Sequence, residues 1–184
     1  MSFANSGKSW TRCELRKYLS TLPKPAWITG ITLHHTAVPS LAHSKWSAGW
    51  TAQLIHNMTA GYQAKGWRSG PHFYADDYKI WGLTPPNLRG IHARSFNSSR
   101  LGIEVLGNYD IEDHCTGRGE RSWQRAIECS AELMRWLGID ATPGTVNFHR
   151  DDPLTSKSCP GTRIRIGWVL AGIWTAMASD SPAA

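Results

Sequence analysis

The chain has 184 residues, a formal net charge of +6 at pH 7 and a pI near 9.4, which suits one domain large enough to bury a full core. Its positive residues are scattered, so charge alone fits nucleic acid, anionic lipid or an anionic cell wall equally. No zinc-finger spacing, phosphate-cradling glycine loop or aromatic and basic RNA motif is present, which argues against a nucleic-acid partner.

Met1 to Lys8 is polar and has no apolar h-region, so no secretory signal is expected and the chain should be made and kept in the cytoplasm. Thr11-Arg12-Cys13-Glu14 fits a capping box, opening a helix that runs to about Leu22, where Pro23 and Pro25 end it. A strand is predicted near Thr29 to His35. In Ile31-Thr32-Leu33-His34 the apolar residues alternate with polar ones, so Thr32 and His34 share one face and Ile31 and Leu33 the other. Trp50, Leu54, Ile55 and Met58 have helical spacing, ending before Gly66, and Phe73 to Ala75 with Lys79 to Gly82 reads as a hairpin around Asp76-Asp77-Tyr78. Thr84 to Gly90 is a Pro- and Gly-rich loop.

Leu101-Gly102-Ile103-Glu104-Val105 is a further strand, with Glu104 facing away from Leu101, Ile103 and Val105. Asp110 to Glu120 reads as a loop. An amphipathic helix follows from about Ser122 to Leu137, with Trp123, Ile127, Met134 and Leu137 on its core side and Gly138 as its stop. Val146-Asn147-Phe148-His149 repeats the strand pattern and puts His149 with Asn147. The apolar stretch Ile166 to Ala178, headed by Arg163 and Arg165, is short for a membrane span and reads as a packed terminal helix, with interfacial binding the lesser alternative. Ser179 to Ala184 should fray. The fold expected is α/β, a central mixed β-sheet flanked by α-helices in a single domain over 1–184, with a helical extension at 1–26 and a terminal helix at about 162–178. No repeat, low-complexity tract or linker marks a separate wall-binding module.

Each of three strands thus offers one chemically able residue on the face its aliphatics avoid: His34, Glu104 and His149. A loop carrying Lys157 and Cys159 can close over them. Two imidazoles and a thiolate leave the fourth corner of a tetrahedral zinc open, as in a catalytic rather than a structural site, and water in that corner becomes a nucleophile near neutral pH. The bland alternatives are structural histidines and a solvated loop lysine. His35 has the opposite parity, cannot share that metal without a bulge, and should be packed or hydrogen-bonded. A cysteine-protease reading of Cys159 with His149 lacks the helix N-terminus that would depress the thiol. Cys13, Cys115 and Cys129 are expected as free thiols, a Cys115–Cys129 bridge being the lesser alternative. Among the ten tryptophans, Trp46, Trp50, Trp67 and Trp81 lie nearest these motifs; most should pack, and any exposed one could stack on sugar or peptide.

Leu33-His34-His35-Thr36-Ala37, Gly70-Pro71-His72-Phe73, Leu101-Gly102-Ile103-Glu104-Val105, and His149-Arg150-Asp151 through Lys157-Ser158-Cys159-Pro160-Gly161 together resemble the zinc-dependent N-acetylmuramoyl-L-alanine amidases of the type-2 amidase and peptidoglycan recognition protein superfamily. The resemblance runs from about Trp27 to Gly161, in the family's order. It implies hydrolysis of the amide between the lactyl group of N-acetylmuramic acid and L-alanine, on peptidoglycan or muropeptides. By the same resemblance one zinc is held by His34, His149 and Cys159, Glu104 is the catalytic glutamate, and Lys157 assists the transition state. His92 is implied as a substrate-side histidine, with His72, Asn97 and Arg100 as further substrate-side candidates. Several phage members carry a tyrosine immediately before the His-Phe element, whereas this chain has Pro71. Tyr74, three residues on, is turned to the opposite face by alternation, so Glu104 is expected to be the principal base. With one catalytic domain, no signal and a basic surface, the chain looks like a phage endolysin, monomeric and acting at the periplasmic wall after membrane permeabilisation. A bacterial muropeptide-recycling amidase and a non-catalytic peptidoglycan-binding protein are the alternatives; binding-only relatives tend to lose the ligand cysteine that this chain keeps as Cys159.

Overall fold

A computed structural model describes residues 3–43 and 49–179. The predicted capping box forms: Thr11 N donates to Glu14 Oε2 at 2.8 Å and Glu14 N to Thr11 Oγ1 at 3.4 Å, opening α1 (Arg12–Ser20). This helix stops just short of the predicted Leu22 and buries Leu15 and Leu19.

Six strands pair among the described residues: β1 (Ser9–Trp10), β2 (Gly30–His35), β3 (Phe73–Ala75), β4 (Ile80–Gly82), β5 (Arg100–Val105) and β6 (Val146–Phe148). Their order is β1-β4-β3-β5-β2-β6, with β2 parallel to β5 and β6, β3 parallel to β5, and β4 antiparallel to β1 and β3. Register then sorts the faces. Leu33 stands opposite Ile103 and Phe148, and Ile103 opposite Phe73, all of them buried in the main core. One residue further along, His34 stands opposite Glu104 and Glu104 opposite Tyr74. Because side chains alternate along a strand, this second row points to the other face.

The main core is closed by α1, α3 (Gly117–Leu137) and α4 (Ile166–Ala178), which contribute Leu15, Trp123, Met134, Val169 and Ile173 among others. On the opposite face α2 (Ala52–Ala64) sets Ile55 into a smaller cluster with Trp50, Tyr74, Trp81, Leu83 and Leu106. The result is the expected α/β arrangement, among the described residues a mixed six-stranded sheet with four α-helices. No described helix is long and apolar enough to cross a membrane, and α4 packs as a terminal helix while leaving Trp174 exposed.

Three expectations change. The helix α3 begins at Gly117, not near Ser122, because Gly117 and Gly119 weaken the helical signal in the sequence. Gly119 is needed there: a Cβ would lie 1.9 Å from Asp113 O. Secondly, β6 ends at Phe148, and His149–Asp151 forms a 3-10 turn. Thirdly, Tyr74 stands in the row of His34 and Glu104, not on the opposite face. Trp50 and Trp81 are buried and Trp67 is partly exposed, whereas Trp46 and the end of the predicted fraying tail lie outside the described residues. All four cysteines are free, with Cys115 exposed and Cys129 buried.

Candidate metal centre and active site

The register of β2 and β5 sets His34 beside Glu104, and the turn after β6 adds His149. His149 leaves the ladder because Asp151 accepts from Phe148 N at 2.8 Å while Arg150 N donates to Cys159 O at 2.8 Å. The Arg150 guanidinium also donates to Gly161 O and Ile164 O, each at 2.7 Å, which holds the Cys159 loop against the sheet end. From the other side Asp110 accepts from Ser158 Oγ at 2.7 Å and from Thr162 N at 2.8 Å.

These constraints bring three donor atoms together. His34 Nδ1 lies 3.1 Å from His149 Nδ1 and 3.8 Å from Cys159 Sγ, and one donor atom from each of the three residues falls within 4.8 Å of the other two. Burial holds His34 well below the usual histidine range, with the neighbouring His92 and His149 adding to the effect. His149 is lowered too, by burial and then by Lys157. Both rings are therefore neutral at neutral pH. Burial, then Glu104, pushes the Cys159 thiol up, so a thiolate there needs a cation beside it. That weighs against Cys159 as a free nucleophile. Its sulfur nonetheless accepts from His35 N at 3.3 Å, a contact that suits a thiolate. Two neutral imidazoles and one sulfur, converging with an open side, fit a tetrahedral metal of zinc's softness. His34, His149 and Cys159 could thus hold one metal ion.

Glu104 Oε1 lies 3.9 Å from His34 Nδ1. Burial pushes its carboxyl up to about 8, with Lys157 opposing the shift. Beyond these groups opens a cavity of about 690 Å³, lined at one end by His149, Glu104, Lys157 and Cys159 and at the other by Met58, Tyr62, Trp67 and Tyr74. Lys157 is exposed at its edge.

The remaining sequence candidates fall elsewhere. His72 is fully buried, accepting from Gly102 N at 2.9 Å through Nδ1 and donating to Leu88 O at 3.0 Å through Nε2. Asn97 caps its own loop, taking His92 N at 2.8 Å and Ala93 N at 3.0 Å on Oδ1. Arg100 ties β5 to the approach of β6, donating to Thr145 O at 3.2 Å and Gly144 O at 2.9 Å. None of these three lines the cavity; His92 does, from beside His34. His35 is packed and hydrogen-bonded as its parity requires, its Nδ1 accepting from Tyr109 N at 3.1 Å.

Tyr74 corrects the sequence reading. Alternation from Pro71 does not hold because β3 begins only at Phe73, so Pro71 and Tyr74 both line the cavity. Tyr74 stands opposite Glu104 in the sheet, and its hydroxyl meets that of Tyr62 at 2.7 Å. Tyr62 was not singled out from sequence, although Met58, Tyr62 and Lys65 recur on one face at the helical spacing of α2 and all line the cavity.

Residues 23–162 match the family model described as N-acetylmuramoyl-L-alanine amidase. The chain belongs to this type-2 amidase family. Among solved structures, the N-acetylmuramoyl-L-alanine amidase LysC from Clostridium intestinale is 24% identical over 82% of this chain and 89% of that one, with a TM-score of 0.59. A mutant endolysin from Bacillus subtilis is 24% identical, covering 79% of this chain and 85% of that chain at a TM-score of 0.57. The wild-type Drosophila PGRP-LB is 20% identical over 85% of this chain and 86% of its own at a TM-score of 0.60. At these identities the likenesses establish the type-2 amidase fold. No curated protein matches the chain.

Proposed function

We propose that this amidase is zinc-dependent and cleaves the amide between the lactyl group of N-acetylmuramic acid and the L-alanine of the peptidoglycan stem. The observation that carries the reading is the convergence of His34 Nδ1, His149 Nδ1 and Cys159 Sγ beside Glu104 at the floor of an open cavity. Zinc held by those atoms supplies Lewis acidity toward water and the scissile carbonyl. Glu104, its ionised form favoured by Lys157 and by a cation on the neighbouring ligands, would take the proton of the attacking water and pass it to the leaving L-alanine amine. Lys157, from the loop of Cys159, sets its ammonium against the charge that develops on the carbonyl oxygen. Its family membership and the retention of Cys159 support catalysis over binding alone.

Metal analysis paired with product identification tests this. About one zinc per chain is expected from three ligands and one open position. Replacing His34, His149 or Cys159 by Ala should remove metal and activity together, and wall digests should gain L-alanine amino termini without new reducing sugar ends. Full activity in metal-free protein would sink the assignment.

The biological role we favour is that of a phage endolysin, monomeric, made in the host cytoplasm and reaching the periplasmic wall once the membrane is opened. Its support is the basic chain charge together with a catalytic family match that takes up most of the sequence. Intact sacculi should be solubilised; strong preference for soluble anhydro-muropeptides would instead make the protein a recycling enzyme.

A further inference from the structure

His92 has no place in the chemistry just described, yet its ring is fixed on every side. Its backbone N–H is taken by Asn97 Oδ1 at 2.8 Å. Asp152, accepting from Ser95 N at 3.0 Å and Ser95 Oγ at 2.7 Å, ties the same loop to the turn that carries His149. The ring lies over Gly102, where a Cβ would come within 2.5 Å of His92 Cγ, so the strand carries the one residue that leaves room for it. Its edges make two polar contacts: Nε2 with Arg100 O at 3.1 Å, and Nδ1 with His34 Nε2 at 3.1 Å.

The protons in this chain follow from the acceptors. A carbonyl oxygen only accepts, so His92 Nε2 carries a hydrogen. An imidazole with hydrogen on Nε2 has its lone pair on Nδ1, the edge turned toward His34. His34 Nε2 must then donate to it. A neutral His34 that donates through Nε2 has its lone pair on Nδ1, the atom aimed at His149 Nδ1 and Cys159 Sγ.

We propose that His92 is a positioning residue that relays the Arg100 carbonyl to His34, fixing the tautomer and ring orientation in which His34 offers Nδ1 to the metal. The inference rests on the metal-amidase reading above and gives His92 a task on the ligand side of the site in place of a substrate contact. Partners of this kind orient ligating histidines and raise their basicity, and their loss typically weakens metal binding by 10–100-fold.

The test is zinc affinity by chelator competition on the full chain, for the wild type, His92→Phe and His92→Asn, with folding followed by circular dichroism. Phenylalanine keeps a ring over Gly102 but has no acceptor; asparagine returns an oxygen near the position of Nδ1. We expect His92→Phe to bind zinc about 10–100-fold more weakly and His92→Asn to recover most of the loss. A folded His92→Phe with wild-type affinity overturns the relay and leaves the metal site standing, whereas a wild type that binds no zinc overturns both. Should His92→Phe not fold, nitrogen-15 NMR of the wild-type imidazoles decides without any variant. His34 and His92 are both expected as the Nε2–H tautomer in metal-free protein near neutral pH, and hydrogen on Nδ1 of either ring would refute the proposal.

Discussion

Glu104 and Lys157 approach the same cavity from different supports, one from a sheet strand and one from a surface loop, and this separates what their removal should do. Glu104→Gln keeps the shape of the side chain but cannot take a proton from water, so the fold and the zinc should remain while turnover falls by roughly 10²-fold or more, the range of general acid-base catalysis. Lys157→Ala should also leave zinc bound and lower turnover rather than affinity, by about 10²-fold, because a group aimed at developing charge acts mainly in the transition state. A rise in KM alone would make Lys157 a substrate anchor. Tyr74 is the competing candidate, since it faces the cavity opposite Glu104. Its hydroxyl is engaged with Tyr62 at 2.7 Å, and burial holds it well above the ordinary tyrosine range, so Tyr74→Phe should be far milder than Glu104→Gln. The opposite ranking in steady-state kinetics would move the base to Tyr74. His34, Glu104, Lys157 and Cys159 were legible in sequence because parity and a polar loop reveal which way a side chain can point. The side of Tyr74 is not legible there, because alternation holds only inside the strand and nothing in the letters says that β3 starts at Phe73.

At the scale of elements, the helices that close the main core are joined through one acidic residue. Glu132, toward the C-terminal end of α3, has a fully buried side chain that meets Arg12 at 2.8 Å and Arg16 at 2.7 Å from α1 and Arg135 at 2.7 Å from its own helix. Arg135 and Arg12 also reach the last carbonyls of α4, at Ala176 and Met177. Removing the carboxylate would leave guanidinium groups crowded without their common counter-charge. Glu132→Ala should therefore destabilise the fold by about 3 kcal/mol, the scale for breaking a buried ion pair from one side. Urea unfolding measures this, and the folded fraction should retain its zinc and its specific activity because α1, α3 and α4 lie across the sheet from the site. A loss under about 0.5 kcal/mol, the range for ordinary surface changes, would show that Glu132 holds nothing together. The sequence displayed the amphipathic stripe of α3 but not this junction, since a charged residue on a helix reads as solvent-facing until its tertiary partners are known. The start of α3 was hidden for a related reason: Gly119 is chosen for the close approach of Asp113 O, not for helix propensity.

The whole molecule uses its sheet as a divider, with aliphatic rows against three helices on one face and a row of ionisable groups under loops and α2 on the other. Such an arrangement stores neutral histidines out of water, and this should make the protein sensitive to acid independently of its metal. His72 is the cleanest case. Burial, with neighbouring His92 adding and the Leu88 carbonyl opposing, holds its pKa down to about 3, against 6.5 for a free histidine. The unfolded chain therefore binds a proton that the folded chain refuses, from pH 6.5 downward. For a group lowered on folding, the stability it contributes is present above the unfolded value and is lost as pH falls toward the folded one. The expected slope is about 1.4 kcal/mol per pH unit within that window. Glu104, raised to about 8, pulls the other way over part of the range, so the wild-type profile alone cannot isolate the histidine. Comparison with His72→Gln cancels every shared group. Glutamine can replace the hydrogen bonds to Gly102 N and Leu88 O only imperfectly, so the variant should be less stable than the wild type at about pH 7.5. It has nothing to protonate, however, and in chelator-treated protein the gap should narrow steadily as pH falls, closing or reversing by about pH 5. Urea unfolding at several pH values gives the difference directly, and a gap that stays constant across the window would mean that His72 is protonated as readily folded as unfolded.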